Sequence, residues 1–95
     1  MASLFHIYID PKPDVTSEEI EKKINLAIDW YKYAPNCWVV KSTSDAAKWH
    51  VRLKPLVEPE GTLIILKIDP SQRKGWIAKS FWTWIKKNSV EGSGA

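Results

Sequence analysis

The sequence predicts an α+β domain with a ferredoxin-like βαββαβ order and an additional C-terminal helix. Residues 5–9 alternate apolar and polar side chains with a period of two, which is typical of a half-buried strand. Residues 30–34 and 37–42 are strand-like and are joined by a turn signal, which predicts a hairpin. Three further segments carry apolar residues at helical spacing, and a continuous apolar run lies between the last two of them. The predicted order is therefore strand, helix, strand, strand, helix, strand and helix.

The first strand runs from Leu4 to Asp10 and carries the first candidate site residue. Pro11 and Pro13 close this strand, because proline cannot supply the backbone N–H groups that continue a ladder. Asp10 is therefore expected at the rim of the sheet. From the residues alone, its carboxylate either belongs to a site or caps the proline-containing turn, which is a common use of aspartate.

The first helix is predicted from a capping box, in which Thr16 is the N-cap and Glu19 reaches back to it. Apolar residues recur at helical spacing from Ile20 to Tyr31, which gives the helix one apolar face. The helix is therefore expected to end between residues 29 and 31, shortly before the hairpin.

The second helix is predicted to begin with Ser44 as its N-cap and Asp45 in its first turn. Apolar residues at helical spacing then give it a buried stripe. Pro55 is expected to end or kink this helix, because a proline inside a helix removes a backbone hydrogen bond.

The apolar run from Leu63 to Leu66 predicts a strand that is covered on both faces. The face of the sheet turned away from the first two helices is expected to show Tyr8, Leu63 and Ile65, together with aromatic residues of the hairpin. Leaving such a face open costs about 25 cal/mol per Å² of apolar surface. The third helix, predicted at residues 77–88, or a second copy of the chain is therefore expected to cover it.

Composition and length limit the class of protein. Ninety-five residues fit one domain, which is predicted to span residues 1–88, with residues 89–95 as a flexible tail. The lone Cys37 excludes a disulfide framework within the chain. Because the sequence shows neither a run of about 20 apolar residues nor a signal-peptide pattern, a soluble cytoplasmic protein without membrane contact is expected.

Basic residues are concentrated near the C-terminus. No acidic residue lies between Asp69 and Glu91. The basic residues in this interval are Arg73, Lys74, Lys79, Lys86 and Lys87. Their excess predicts a nucleic-acid contact surface that binds mostly backbone phosphate, with a solvated helix face as the alternative. Trp82 is the candidate for stacking on an unpaired base, with core packing as the alternative use.

Several short motifs of the chain resemble a known superfamily. Asp10, the hairpin of residues 30–33 and 38–41 and the helix from Ser44 resemble the superfamily of the small CRISPR adaptation subunit and the VapD-type toxin ribonucleases. The closer resemblance is to its SinR-like branch, through Trp-Val-Val-Lys-Ser at residues 38–42, Arg-Lys-Gly-Trp-Ile at residues 73–77 and Trp-Thr-Trp-Ile-Lys-Lys at residues 82–87. The resemblance covers residues 4–88.

The resemblance implies a homodimer in which two ferredoxin-like sheets face each other. Asp10 of each subunit would then form the catalytic and metal-binding site, with one Mg²⁺ or Mn²⁺ held between the two carboxylates. Asp14 is a further candidate ligand. Lys12 follows the site closely in sequence, where it would neutralise the carboxylate or bind a nucleic-acid phosphate.

The resemblance therefore implies a dimeric nucleic-acid-interacting protein, and a metal-dependent endonuclease acting on DNA or RNA is its enzymatic form. The alternative is a non-catalytic dimeric subunit with an assembly or regulatory role in a defence or toxin–antitoxin system. Cleavage that depends on both magnesium and Asp10 would distinguish the two. The sequence has no spacing typical of a hydrolase triad and no glycine-rich phosphate loop, which excludes these two kinds of site.

Overall fold

The computed structural model describes residues 2–89, and its elements follow the order that the sequence predicts. They are β1 (Ser3–Asp10), α1 (Ser17–Ile24), β2 (Asp29–Ala34), β3 (Cys37–Ser42), α2 (Ala46–Val57), β4 (Thr62–Ile68) and α3 (Lys79–Asn88). The four strands form one sheet in the order β2–β3–β1–β4, and every neighbouring pair is antiparallel. The predicted α+β class is confirmed, and the arrangement is compatible with a small ferredoxin-like fold.

One face of the sheet is covered by α1 and α2. Ile7 and Ile9 of β1 point to this face and are fully buried. Trp49 of α2 is also fully buried, and its indole N–H donates a 3.0 Å hydrogen bond to the hydroxyl of Ser42, so the buried polar atom is satisfied. The other buried members of this core are Phe5, Ile20, Ile24, Trp38, Val40, Leu53, Leu56 and Val57.

The other face of the sheet is covered in part by α3. Phe81 and Ile85 of this helix are buried against Leu4 of β1 and Val39 of β3. Half-buried aromatic and aliphatic side chains surround this second cluster. They are Tyr31, Tyr33, Ile68, Ile77, Trp82 and Trp84. The predicted third helix therefore covers the sheet over β2, β3 and the start of β1, where Ile68 of β4 also joins the cluster, but not across the whole face.

Asp29 anchors the C-terminal end of α3 to the start of β2. Its Oδ2 atom accepts hydrogen bonds of 3.0 Å from the indole N–H of Trp84 and 3.2 Å from the amide of Asn88. Near the other end of α3, Phe81 contacts Tyr33 late in β2, with 5.6 Å between ring centroids. The helix α3 therefore runs antiparallel to β2, and it begins near the end of the sheet that carries the hairpin turn.

The same face stays open along β1 and β4. Tyr8, Ile64 and Leu66 lie there, and we call these three residues the open strip. Ile64 is 48% exposed and Leu66 is 56% exposed. Because β4 is an edge strand, its outer backbone groups have no strand partner within residues 2–89. One edge of the sheet therefore combines unpaired backbone with exposed apolar side chains.

The prediction that Leu63 and Ile65 point away from the first two helices is wrong. Both pack against the core under α1 and α2, because they pair across the ladder with Ile9 and Ile7. A shift of one residue exchanges the faces of a whole strand. A continuous apolar run contains no alternation from which this choice could be read. The exposure of the open strip also shows that β4 is not covered on both faces within one chain.

The start of α1 is formed as predicted. The Thr16 hydroxyl accepts a 3.2 Å hydrogen bond from the backbone N–H of Glu19, and the Glu19 carboxylate accepts one of 3.4 Å from the backbone N–H of Thr16. These are the two bonds of a capping box. Ile20 and Ile24 are buried on the apolar face of the helix.

The end of α1 is not where the pattern predicts it. The helix ends at Ile24 and not between residues 29 and 31. Asn25 is its C-cap, and the backbone N–H of Ile28 already donates a 2.8 Å hydrogen bond to the carbonyl of Lys41 in β3. The apolar spacing alone predicts that the helix continues through Ile28, but in the structure this residue pairs with β3 instead.

The predicted N-cap of α2 is wrong, and of the two effects expected of Pro55, the structure excludes the end of the helix. Its N-cap is Asp45 and not Ser44, because the Asp45 carboxylate accepts a 2.9 Å hydrogen bond from the backbone N–H of Lys48. The helix continues past Pro55 to Val57. Burial of its last two residues under the sheet compensates for the backbone hydrogen bond that the proline removes.

The C-terminal helix begins at Lys79, two residues later than predicted, and Ile77 packs against the second cluster from the preceding loop. Ser89, the first residue of the predicted tail, is buried. Residues 90–95 of that tail lie outside the described residues. Among residues 2–89, no helix is both long enough and apolar enough to cross a membrane.

The Asp29 anchor gives a prediction for stability. Replacing Asp29 with Ala leaves the donors of Trp84 and Asn88 without their acceptor, which should lower the free energy of unfolding by about 1–3 kcal/mol. Urea denaturation measures this loss. Glu21→Ala on the exposed surface of α1 is the control and should change stability by less than about 0.5 kcal/mol. Equal stability of the two variants would contradict the anchoring role.

Candidate functional site

Asp10 lies at the rim of the sheet, as the sequence predicts. It is the last residue of β1, it is exposed, and it pairs across the ladder with Thr62 of β4. Within residues 2–89, its carboxylate has no hydrogen-bond or ion-pair partner. The carboxylate therefore does not cap the turn that follows, and both of its oxygens are available to a ligand.

Backbone contacts fix the end of β1. The N–H of Lys12 donates a 2.9 Å hydrogen bond to the carbonyl of Leu56 in α2, which ties the loop after the strand to the helix. A Cβ atom at Gly61 would lie 2.3 Å from the Asp10 carbonyl oxygen, so only glycine permits this close approach. Asp14 has a φ of 79°, in the left-handed region that aspartate tolerates better than most residues. Asp10 is thus held by a defined backbone.

No ion pair joins Asp10 to the lysine that follows it. Lys12 is half-buried and makes no ion pair with Asp10 within the described chain. No group of three or more His, Cys, Asp and Glu side chains that could hold a metal ion is found among residues 2–89. Asp10 and Asp14 of one subunit therefore do not belong to a cluster of three such ligands.

Asp10 and the start of α3 lie toward the same end of the sheet. The backbone N–H of Ile9 donates a 2.9 Å hydrogen bond to the carbonyl of Asn36 in the hairpin turn. The first turn of α3 lies near the same end, because Phe81 contacts Tyr33 late in β2 with 5.6 Å between ring centroids. A ligand that follows this end of the molecule would pass both the carboxylate and the first basic residues of α3.

His6 takes no part in the Asp10 rim. The two residues share a face of β1, but four residues of strand separate them by about 13 Å. Nε2 of His6 and the Tyr33 hydroxyl are instead 2.5 Å apart in a hydrogen bond. Burial lowers the pKa of His6 below its ordinary value. Burial and a hydrogen bond with Cys37 both raise the pKa of Tyr33.

The predicted basic surface divides into two kinds of residue. Arg73 is half-buried, and its Nη1 atom donates a 2.8 Å hydrogen bond to the carbonyl of Pro70, so it shapes the loop before α3. The lysines, in contrast, are all exposed. They are Lys74, Lys79, Lys86 and Lys87. The one ion pair found among residues 2–89 is Lys54 with Glu58, so none of these four lysines has an acidic partner there.

Two tryptophans near this surface differ in their surroundings. Trp82, the sequence-based candidate for base stacking, is half-buried and packs edge-on against Phe81 with 5.4 Å between ring centroids. Its observed role is thus the packing alternative. Trp76 is fully exposed, and sequence analysis missed it. Its position directly after Gly75, in a loop rich in basic residues, was the available signal.

Comparison of the chain with protein-family models, with curated proteins and with solved structures finds no match.

The half-buried position of His6 predicts a pH dependence of stability. Because the pKa of His6 is lowered in the folded state, the unfolded chain binds this proton more tightly, and stability should fall as pH decreases from about 7 to about 5. His6→Gln should flatten this part of the curve in urea denaturation at each pH. His50→Gln, at an exposed position on α2, is the control and should follow the wild type. Parallel curves for wild type and His6→Gln would contradict the prediction.

Proposed function

We propose that this chain is a ferredoxin-like βαββαβ domain with an added C-terminal helix that forms a homodimer and binds nucleic acid. The observation that carries the proposal is the set of four exposed lysines without an acidic partner among the described residues. They belong to a segment, residues 70–90, that contains no acidic residue. The motif resemblance to the CRISPR adaptation and VapD superfamily implies the same class of protein.

Uncompensated lysines favour a polyanionic partner. A surface lysine is usually neutralised in part by nearby carboxylates. Residues 70–90, which include the loop before α3 and α3 itself, contain no Asp or Glu. Lysine binds phosphate as a point charge and carries no base specificity, so the expected binding is tolerant of sequence and strongly dependent on salt. Lys79 in the first turn of α3 lies toward the same end of the sheet as Asp10, which supports one continuous contact surface.

The open strip supports self-association. Exposed apolar residues beside an unpaired strand edge form a surface that a second copy can cover, since a two-fold axis places the same strip on both partners. Tyr8 stands on the same face as Asp10, because the two are separated by two positions along β1. A two-fold axis near the rim would therefore bring the two Asp10 carboxylates together.

The paired carboxylates would suit a divalent cation. Mg²⁺ takes one or two carboxylates and keeps several waters, and the free oxygens of Asp10 fit this requirement. Such an ion supplies an activated water and stabilises negative charge on a phosphodiester. In this arrangement the two Asp10 side chains would hold the cation, and Lys12, which follows β1, would contact a neighbouring phosphate.

The second candidate function is a non-catalytic assembly or regulatory subunit. It is favoured by the observation that no group of three or more His, Cys, Asp and Glu side chains within residues 2–89 could hold a metal ion. A dimer of this kind would keep the nucleic-acid surface and the self-association, but it would not cleave. Cleavage that requires magnesium and is lost in Asp10→Asn distinguishes the two candidates.

The lysine surface can be tested with a double variant. Lys74→Ala combined with Lys79→Ala should weaken binding to a short DNA duplex and reduce the logarithmic salt dependence by about 0.9 for each lost phosphate contact. Fluorescence anisotropy between about 50 and 200 mM salt measures both quantities. Lys22→Ala combined with Lys23→Ala removes the same net charge from exposed positions on α1 and should leave the salt dependence unchanged. Equal losses in the two double variants would contradict a local contact surface.

The metal site can be tested by thermal stability. Two carboxylates held close together repel each other, and a cation that binds only the dimer should raise the melting temperature of the wild type. Asp10→Asn removes both the repulsion and the ligand, so it should be at least as stable without metal and should not respond to millimolar Mg²⁺ or Mn²⁺. Leu66→Lys in the open strip should abolish the dimer and the metal response together.

Val51→Lys is the control for Leu66→Lys, because Val51 is an exposed apolar residue on α2. This variant should keep both the dimer, measured by sedimentation, and the metal response. A wild-type melting temperature that neither Mg²⁺ nor Mn²⁺ changes would contradict the paired-Asp10 site. If the wild type stays monomeric at micromolar concentration, the proposed dimer is wrong.

A further inference from the structure

Trp76 is the most exposed large apolar residue of the described chain, with a relative exposure of 102%. Tryptophan has the largest apolar surface of any side chain, and leaving it in water forgoes the stabilisation that burial gives. The next residue, Ile77, packs against the second cluster, whereas Trp76 does not. The outward position of Trp76 therefore leaves a large apolar surface that a ligand could cover.

The backbone around Trp76 is anchored on both sides. On the N-terminal side, the Arg73 side chain holds the carbonyl of Pro70, and a Cβ atom at Gly75 would lie 3.4 Å from the Trp82 ring, so the chain passes closely over that ring. On the C-terminal side, Ile77 is half-buried in the second cluster. Trp76 is thus presented to solvent by a fixed segment, which reduces the entropy lost when a ligand binds.

The charges around Trp76 indicate the chemistry of that ligand. Lys74 lies two residues before it and Lys79 three residues after it, both exposed and without an acidic partner in the described chain. An exposed aromatic side chain that is flanked in sequence by two lysines without an ion pair is complementary to a molecule that alternates flat rings with anionic groups. Single-stranded nucleic acid has this character, because its unpaired bases can stack on an aromatic ring while its phosphates bind lysine.

We propose that Trp76 stacks on an unpaired base of single-stranded DNA or RNA while Lys74 and Lys79 bind the flanking phosphates. This inference rests on the proposed nucleic-acid binding and narrows its substrate class to strands with unpaired bases. In a continuous duplex the bases are stacked on each other, so the Trp76 ring has no base face to contact. The lysines, in contrast, can bind the phosphates of either form.

The test compares full-length wild type with Trp76→Leu and Trp76→Phe. The probes are a labelled single-stranded DNA of mixed sequence, the same sequence as RNA, an abasic strand of equal length and the DNA duplex. Trp76→Leu should lose about tenfold in affinity for the strand with bases, while its affinity for the abasic strand and for the duplex stays unchanged. Trp76→Phe keeps an aromatic face and should recover most of the loss. The DNA and RNA arms show which strand is bound more tightly.

Leu26→Ala is the control, because Leu26 is an exposed apolar residue outside this loop. It should bind every probe as the wild type does. Wild-type affinity of Trp76→Leu for the strand with bases would overturn the stacking role, and so would an equal loss on the abasic strand. Dissociation of a wild-type dimer by Trp76→Leu in sedimentation would assign Trp76 to the subunit interface and overturn it as well.

The failure of this inference differs from the failure of nucleic-acid binding in general. If the duplex and the abasic strand bind with the predicted dependence on the two lysines while Trp76→Leu changes nothing, only the stacking role is overturned. If none of the four probes binds to the wild type, the proposed function and the stacking role are both overturned.

Discussion

The structure depends on the pairing of β1 with strands on both of its edges. Because β3 and β4 hold it from either side, the alternation of its side chains decides what each face of the sheet receives. Ile7 and Ile9 go to the core under α1 and α2, and Tyr8 and Asp10 go to the other face. The position of the candidate carboxylate, the location of the open strip and the register of β4 all follow from this one strand.

The sequence predicts the order of elements because each element carries its own local signal. The capping box at Thr16 and Glu19 is an example, since both of its bonds form between residues three positions apart. Boundaries that depend on distant partners could not be read in this way. The end of α1 is set by the hydrogen bond from Ile28 to Lys41 in β3, and no local pattern contains that information.

The candidate site was predictable to a similar extent. The sequence predicts Asp10 at the rim because Pro11, the next residue, cannot continue the strand ladder. It also predicts the basic segment, because the charge of a segment follows directly from its residues. It did not show which aromatic side chain stands in solvent. The exposure of Trp76 and Trp82 depends instead on tertiary packing, since Trp82 lies against Phe81 in the second cluster and Trp76 does not.

Gly61 shows how a residue without a side chain can control the site. Any larger residue there would collide with the Asp10 carbonyl oxygen and with the backbone of α2 at Val57, so the end of β1 would have to move. If Asp10 acts as proposed, a mutational scan scored by function would mark Gly61 as well as Asp10, although glycine offers no side-chain group for catalysis or for a ligand. In this small domain, loss of function on substitution therefore indicates a chemical role only for a residue whose side chain reaches the site. At Gly61 the same loss would arise because a larger side chain displaces the backbone of Asp10.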